Sequence, residues 1–163
     1  LNILYLVQCG LLRTPVLYLS RYILQHRLEY YRFLREVTEN QRWEPWMLFV
    51  LFAVEETARW TSARINAIYE LHQYTGRHIR ERLPGIYSRE LVDVLFIQPY
   101  VRIEVLVEAG IGQRQTAASY LKRLVDSGVL QELKVGREKL FLHTKFFDLL
   151  RQESEEFLPY GEG

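Results

Sequence analysis

The sequence predicts a mainly α-helical chain whose second half closes in a small α+β domain. Three observations carry that expectation. Apolar residues recur at helical spacing through most of the first half. Leu83-Pro84-Gly85 then punctuates the chain, and two short runs rich in β-formers flank Gly136-Arg137 near the end. A length of 163 residues suits one large domain or two small ones, since domains commonly hold about 100–150 residues. With 48% hydrophobic and 25% charged residues the chain can bury a core and lies outside the disordered range. The net charge of +1 excludes a chain-wide field of the kind that draws nucleic acid or membranes, so any such patch is local. The lone Cys9 has no internal partner and points to a reducing, cytoplasmic setting.

Leu1 to Cys9 is apolar on nearly every face, which predicts a helix enclosed by protein and ended at Gly10. Thr14-Pro15 breaks the path. Ser20 is the expected cap of a second helix running to about Val37, with Tyr22, Ile23, Leu28, Tyr31 and Leu34 inward, and Thr38 to Arg42 reads as a polar loop. A third helix opens at Glu44-Pro45 and continues to about Arg82, with Ile65, Ile68, Tyr69 and His72 recurring at helical spacing and a weak point at Gly76. Unbroken, it measures about 55–60 Å. Neither apolar stretch spans a membrane: Leu1 to Leu24 is interrupted by Gln8, Gly10, Arg13 and Pro15, and Trp46 to Val54 is far shorter than the roughly 20 residues required.

Beyond the punctuation, Ser88 caps a short helix to about Ile97, which Pro99 stops. Ile103 to Glu108 is a second, ended by Ala109-Gly110-Ile111-Gly112. Gln113 to Ser127 is a third, with Ala117, Tyr120, Leu121 and Leu124 on one face, ended by Gly128. Val129 to Val135 and Lys139 to His143 read as a two-stranded hairpin, and Thr144 to Leu150 as a closing helix. Three helices followed by a hairpin make the winged helix-turn-helix pattern, with Ile111 and Leu130 as apolar plugs of its core. Gln113 stands where that pattern favours Ser or Thr, which weakens the cap by about 1 kcal/mol. The expected organisation is 1–84 helical, 85–150 winged helix, and 151–163 a flexible tail.

Self-contained active-site motifs are missing. There is no phosphate-binding Gly-rich loop with Lys, no Gly-x-Ser-x-Gly elbow and no paired-His zinc helix. Gly110-Ile111-Gly112 lacks the third glycine of a dinucleotide fingerprint, where Gln115 stands. His26, His72, His78 and His143 share no metal-ligand spacing, so no metal site is expected.

Four segments nevertheless form a recognisable series: Leu1-Asn2-Ile3-Leu4-Tyr5-Leu6, Leu17-Tyr18-Leu19-Ser20, Tyr30-Tyr31 and Trp43-Glu44-Pro45-Trp46. The series resembles the stretch that follows the signature motif of Fic-family proteins, and many bacterial members carry a winged helix beyond it. The chain opens without Met, and the motif itself (His-Pro-Phe-x-Asp/Glu-Gly-Asn-Gly-Arg-x-x-Arg) is absent. The resemblance therefore implies the carboxy-terminal part of an adenylyltransferase. The intact protein would use ATP and magnesium to transfer AMP (AMPylation) to a hydroxyl of a target protein or of itself. The upstream motif would supply the base, the metal-holding carboxylate and the phosphate loop, so this part alone would bind no cofactor and catalyse nothing.

Among the residues present, the resemblance assigns Tyr30 and Tyr31 to the nucleotide pocket. Adjacent helical tyrosines point about 100° apart, so one can pack inward while the other edges a pocket; two core tyrosines closing a helix pair is an equal reading. Asn2 sits in an apolar helix, where a structural hydrogen bond outweighs ligand contact. From Gln113 to His143 there are six basic residues against three acidic ones. Arg114, Gln115, Ser119, Lys122 and Arg123 fall away from the packed stripe and Arg137 stands at the wing tip, where a DNA reader places its contacts. A surplus this thin favours an interaction or structural role over DNA binding. The competing expectation is a DNA-binding regulator with a helical dimerisation arm. By the same resemblance this part alone would expose the Leu1–Cys9 helix, which favours self-association or a loose amino terminus.

Overall fold

The computed structural model describes residues 2–11, 18–136, 138–151 and 156–160. Helices dominate, and the described strands form a single three-stranded antiparallel sheet. The chain divides into two compact units, Leu1–Ala63 and Arg64–Gly163. The division falls inside a helix rather than at Leu83-Pro84-Gly85, because the second half of that helix supplies one wall of the second unit's core.

The first unit contains α1 (Asn2–Gln8), α2 (Leu19–Gln25), α3 (Arg27–Asn40) and the first half of α4 (Trp43–Arg82). Leu4 and Tyr5 of α1 are 69% and 65% exposed, the exposure expected of that apolar helix in this chain alone. Ser20 is not a cap. It lies inside α2, whose N-cap position is taken by Tyr18 without a side-chain bond. The predicted single helix from Ser20 to Val37 is broken at His26. There the backbone leaves helical angles while the ring stacks on Tyr22 at 4.1 Å and its Nδ1 contacts the Tyr22 carbonyl at 3.0 Å. The break shifts the inward stripe to His26, Tyr30, Phe33 and Val37, leaving Leu28 87% exposed and Tyr31 53% exposed. The polar loop after it shrinks to two residues. Thr38 stays helical by bonding the Leu34 and Arg35 carbonyls, and Gln41 ends α3 in the left-handed region at φ 54°.

Helix α4 is continuous through Gly76. In the first unit it buries Phe49, Ala53 and Thr57, and in the second Arg64, Ala67, Leu71, Thr75 and Ile79. The predicted face is therefore corrected: Ile65 and Tyr69 are 55% and 63% exposed. One residue is a 100° rotation on a helix, and here the inward stripe runs through Phe49, Leu71 and Ile79 together with small and polar residues, one step away from Ile65 and Tyr69.

The second unit continues with α5 (Arg89–Leu95), β1 (Tyr100–Val101), α6 (Ile103–Glu108), α7 (Arg114–Asp126), β2 (Gln131–Val135), β3 (Glu138–Leu142) and α8 (Thr144–Arg151). Ser88 caps α5, its Oγ accepting from the Leu91 N–H at 3.0 Å. The order β1-β3-β2 adds a strand to the expected hairpin, with Tyr100 opposite Leu142 and Leu133 opposite Leu140. Two residues are too few to show alternation, so β1 is invisible in the sequence; the His143 N–H, bonded to the Pro99 carbonyl at 2.8 Å, fixes its approach. Leu91, Leu95, Leu106, Leu121, Leu124 and Val129 form the centre of the core, and Leu130 is buried beside them as the plug the sequence suggested. Gly128 ends α7 at φ 77°, a conformation costly for any residue with a Cβ. The region expected to be a flexible tail contributes to this unit in its described part: Tyr160 is 8% exposed and stacks on Tyr74 at 5.3 Å.

Candidate functional site

Tyr30 and Tyr31 sit next to each other on α3, about 100° apart around the helix. Tyr30 is half-buried, its ring edge-on to Trp46 at 5.0 Å and within 6.2 Å of Phe49. Tyr22, Phe33 and Trp46 complete the aromatic group around Phe49. Tyr31 points the other way, meets Tyr30 edge-on at 5.4 Å and carries the Arg27 guanidinium 5.6 Å from its ring centre. One tyrosine is thus a wall and the other an accessible face with a cation beside it. Burial, helped by Glu29 and Glu56, raises the pKa of the nearby Tyr22 phenol above its usual range, so that group stays protonated. The side chain of Asn2 lies outside the described residues. No group of three His, Cys, Asp or Glu residues able to hold a metal ion occurs among the described residues.

The second candidate face lies on α7. Its apolar stripe, Ala117, Leu121 and Leu124, is fully buried, which turns Arg114, Gln115, Ser119, Lys122 and Arg123 outward. Gln113 makes no side-chain cap, as its chemistry suggested. Arg114 is drawn to Glu104 of α6 at 2.8 Å. Backbone hydrogen bonding at Glu104, with Arg114 adding to it, holds that carboxyl below the usual range. Lys139 pairs with Glu132 at 2.7 Å and Arg102 with Glu138 at 3.4 Å. Much of the basic surplus is therefore matched within the unit. Lys122 and Arg123 form no ion pair within 4.0 Å among the described residues, and Arg137 lies outside them.

A buried polar chain, unforeseen in the sequence, ties α4, α8 and residues 156–160 together. Tyr160 Oη lies 2.7 Å from Thr75 Oγ1 and 3.2 Å from His143 Nε2. The Phe146 N–H donates to His143 Nδ1 at 3.2 Å. An accepting Nδ1 places the proton of a neutral ring on Nε2, which then donates to Tyr160. Desolvation lowers the His143 pKa to about 4 and raises that of Tyr160 beyond the normal tyrosine range. Arg64, itself buried, donates to the Leu149 carbonyl near the end of α8. This network holds the unit together rather than presenting reactive groups. Its spacing of Thr75, His143 and Tyr160 along the chain carried no local signal.

The decisive comparison concerns this same unit. Residues 71–146 match the family model described as "Protein adenylyltransferase SoFic-like, C-terminal domain". The match begins at Leu71 on α4 and ends at Phe146 on α8, a little under half of the chain. It takes in α5, the sheet, α6 and α7, and so supports the resemblance to the carboxy-terminal part of Fic-related adenylyltransferases from a region that the quoted amino-terminal segments do not include. Among the described residues no helix is long and apolar enough to cross a membrane.

Proposed function

We propose that this chain is the carboxy-terminal region of a Fic-family protein whose intact form transfers AMP from ATP to a protein hydroxyl. The observation that carries the reading is the match of residues 71–146 to the SoFic-like C-terminal domain. Leu4, Leu28, Met47, Leu51 and Phe52, each more than half exposed, add support from the first unit. Apolar surface of that extent is normally covered by further protein, and the remainder of a catalytic domain, or a second copy, is the natural cover.

In this reading Tyr31 offers the nucleotide its accessible ring face, with Arg27 beside it, while Tyr30 holds the wall behind through Trp46 and Phe49. A purine and a neighbouring phosphate suit an aromatic face and a guanidinium. ATP with magnesium supplies the activated AMP group. The residues of this chain position the nucleotide and leave proton transfer and metal binding to the upstream motif. We read the second unit as a winged helix that serves target or self interaction, because Arg114, Lys139 and Arg102 are already matched by carboxylates.

The test is incubation of the intact protein with magnesium and ATP labelled on the α-phosphate. Label on the protein or on a supplied target, reduced by Tyr31→Ala, is expected; the 163-residue chain alone should incorporate none. No label on the intact protein, together with salt-sensitive duplex DNA binding lost in Arg123→Ala, would replace the proposal with the regulator reading.

A further inference from the structure

We propose that the cleft between α4 and α5 binds a small polyphosphate anion. His72, Gln73, Gly76, Arg77 and Arg80 recur along one face of α4, and Tyr87, Arg89 and Val92 close the opposite side of a cavity of about 370 Å³. That volume lies within the range of small-ligand sites, about 300–1,000 Å³. Val92 is its single aliphatic member, and three guanidiniums reach it, so the lining is suited to a charged, polar occupant rather than an apolar one.

The electrostatics around the cleft are unbalanced. Asp93 stands beside it, engaged by His72 Nε2 at 2.8 Å and approached by Arg89 Nε at 3.8 Å. Arg77 has no carboxylate within 4.0 Å among the described residues. Arg80 is held without an acid: its guanidinium lies 4.5 Å from the Tyr87 ring centre and donates to the Tyr87 hydroxyl. A guanidinium fixed by an aromatic ring keeps its full charge for a ligand and loses little freedom when one arrives. The cleft is lined by three arginines and no carboxylate, which suits an anion that carries more than one negative charge.

Gly76 is the second, independent pointer. Glycine inside a helix is unfavourable relative to alanine, so a reason for it is expected. Neither packing nor backbone supplies one: an added Cβ would meet Val92 at 3.9 Å, an ordinary contact, and Gly76 is not among the glycines with positive φ. What the missing side chain does is leave the floor of the cleft open between the arginines.

The shared chemistry is a phosphate oxyanion, free or carried by a nucleotide. Titration of the isotopically labelled chain with inorganic pyrophosphate, and separately with a nucleoside diphosphate, is followed by amide resonances, with sulfate at matched ionic strength as the control. Saturable shifts confined to residues 72–93 are expected. Arg77→Gln or Arg80→Gln should each weaken binding by about tenfold or more. Gly76→Leu should fill the floor and abolish binding while retaining the helical circular-dichroism signal. Tighter binding of the diphosphate would identify a nucleotide, and equal binding a free polyphosphate. Shifts that never saturate, that sulfate reproduces in full, or that survive Gly76→Leu, Arg77→Gln and Arg80→Gln alike would overturn the proposal.

Discussion

Acidification tests the buried chain through His143 most directly. Its ring is 1% exposed, accepts the Phe146 N–H on Nδ1 and meets Tyr160 Oη through Nε2. Protonating Nδ1 would set two donors against each other at the start of α8 and place a charge in the core. Desolvation accordingly depresses the pKa from 6.5 to about 4, with Lys145 acting in the same direction. Because the native pKa lies below the unfolded one, the unfolded chain binds more protons between about pH 6.5 and about pH 4. Stability is complete above that window, declines as pH falls through it and levels off below. At about 1.4 kcal/mol per pH unit, the loss is on the order of 3 kcal/mol. Carboxylates also titrate there, so the informative quantity is the difference between the wild type and His143→Asn. Asparagine can still accept the Phe146 N–H but does not titrate. The chain's tryptophans, Trp43, Trp46 and Trp60, all lie in the first unit. Hydrogen exchange of core amides on α7 and β3 should therefore be the readout for the second unit, with tryptophan fluorescence as the internal control. Equal acid sensitivity in the two proteins would refute the assignment of His143 as a buried neutral cap.

Two further substitutions probe α4. Gly76→Ala should stabilise the second unit by about 0.5–1 kcal/mol in urea unfolding, since there is room for the Cβ at 3.9 Å from Val92. Arg64→Ala removes the donor to the Leu149 carbonyl and empties a buried site, so a loss of about 2–4 kcal/mol and early exchange of the α8 amides are expected.

The order of elements in the second unit was legible because its signals are local. The bounds of α6 follow from Ile103, Val105, Leu106 and Val107 ended by Ala109 and Gly110; those of α7 from its stripe and Gly128; the hairpin from runs on either side of Gly136. The first unit was read less well. Nothing local marks His26 as a break, since neither Pro nor Gly stands there; its backbone leaves helical angles while its N–H still bonds the Tyr22 carbonyl and its ring stacks on Tyr22. The inward face of α4 was likewise misread. A helix that buries Thr57, Arg64 and Thr75 in the same stripe as Phe49, Leu71 and Ile79 departs from an expectation built on apolar residues alone.

For the candidate sites, the sequence by itself determined which residues lie on the outward face of α7 and that Tyr30 and Tyr31 diverge, because helical periodicity alone sets both. Tertiary structure decided the rest. It chose Tyr31 as the accessible ring, paired Arg114 with Glu104, and drew His72, Arg77, Arg80 and Arg89 around one cleft. It also joined Thr75, His143 and Tyr160, which stand far apart along the chain. Periodicity carries information over a few turns of one element. Charge pairing and burial depend on which elements meet, and that is settled only when the core closes.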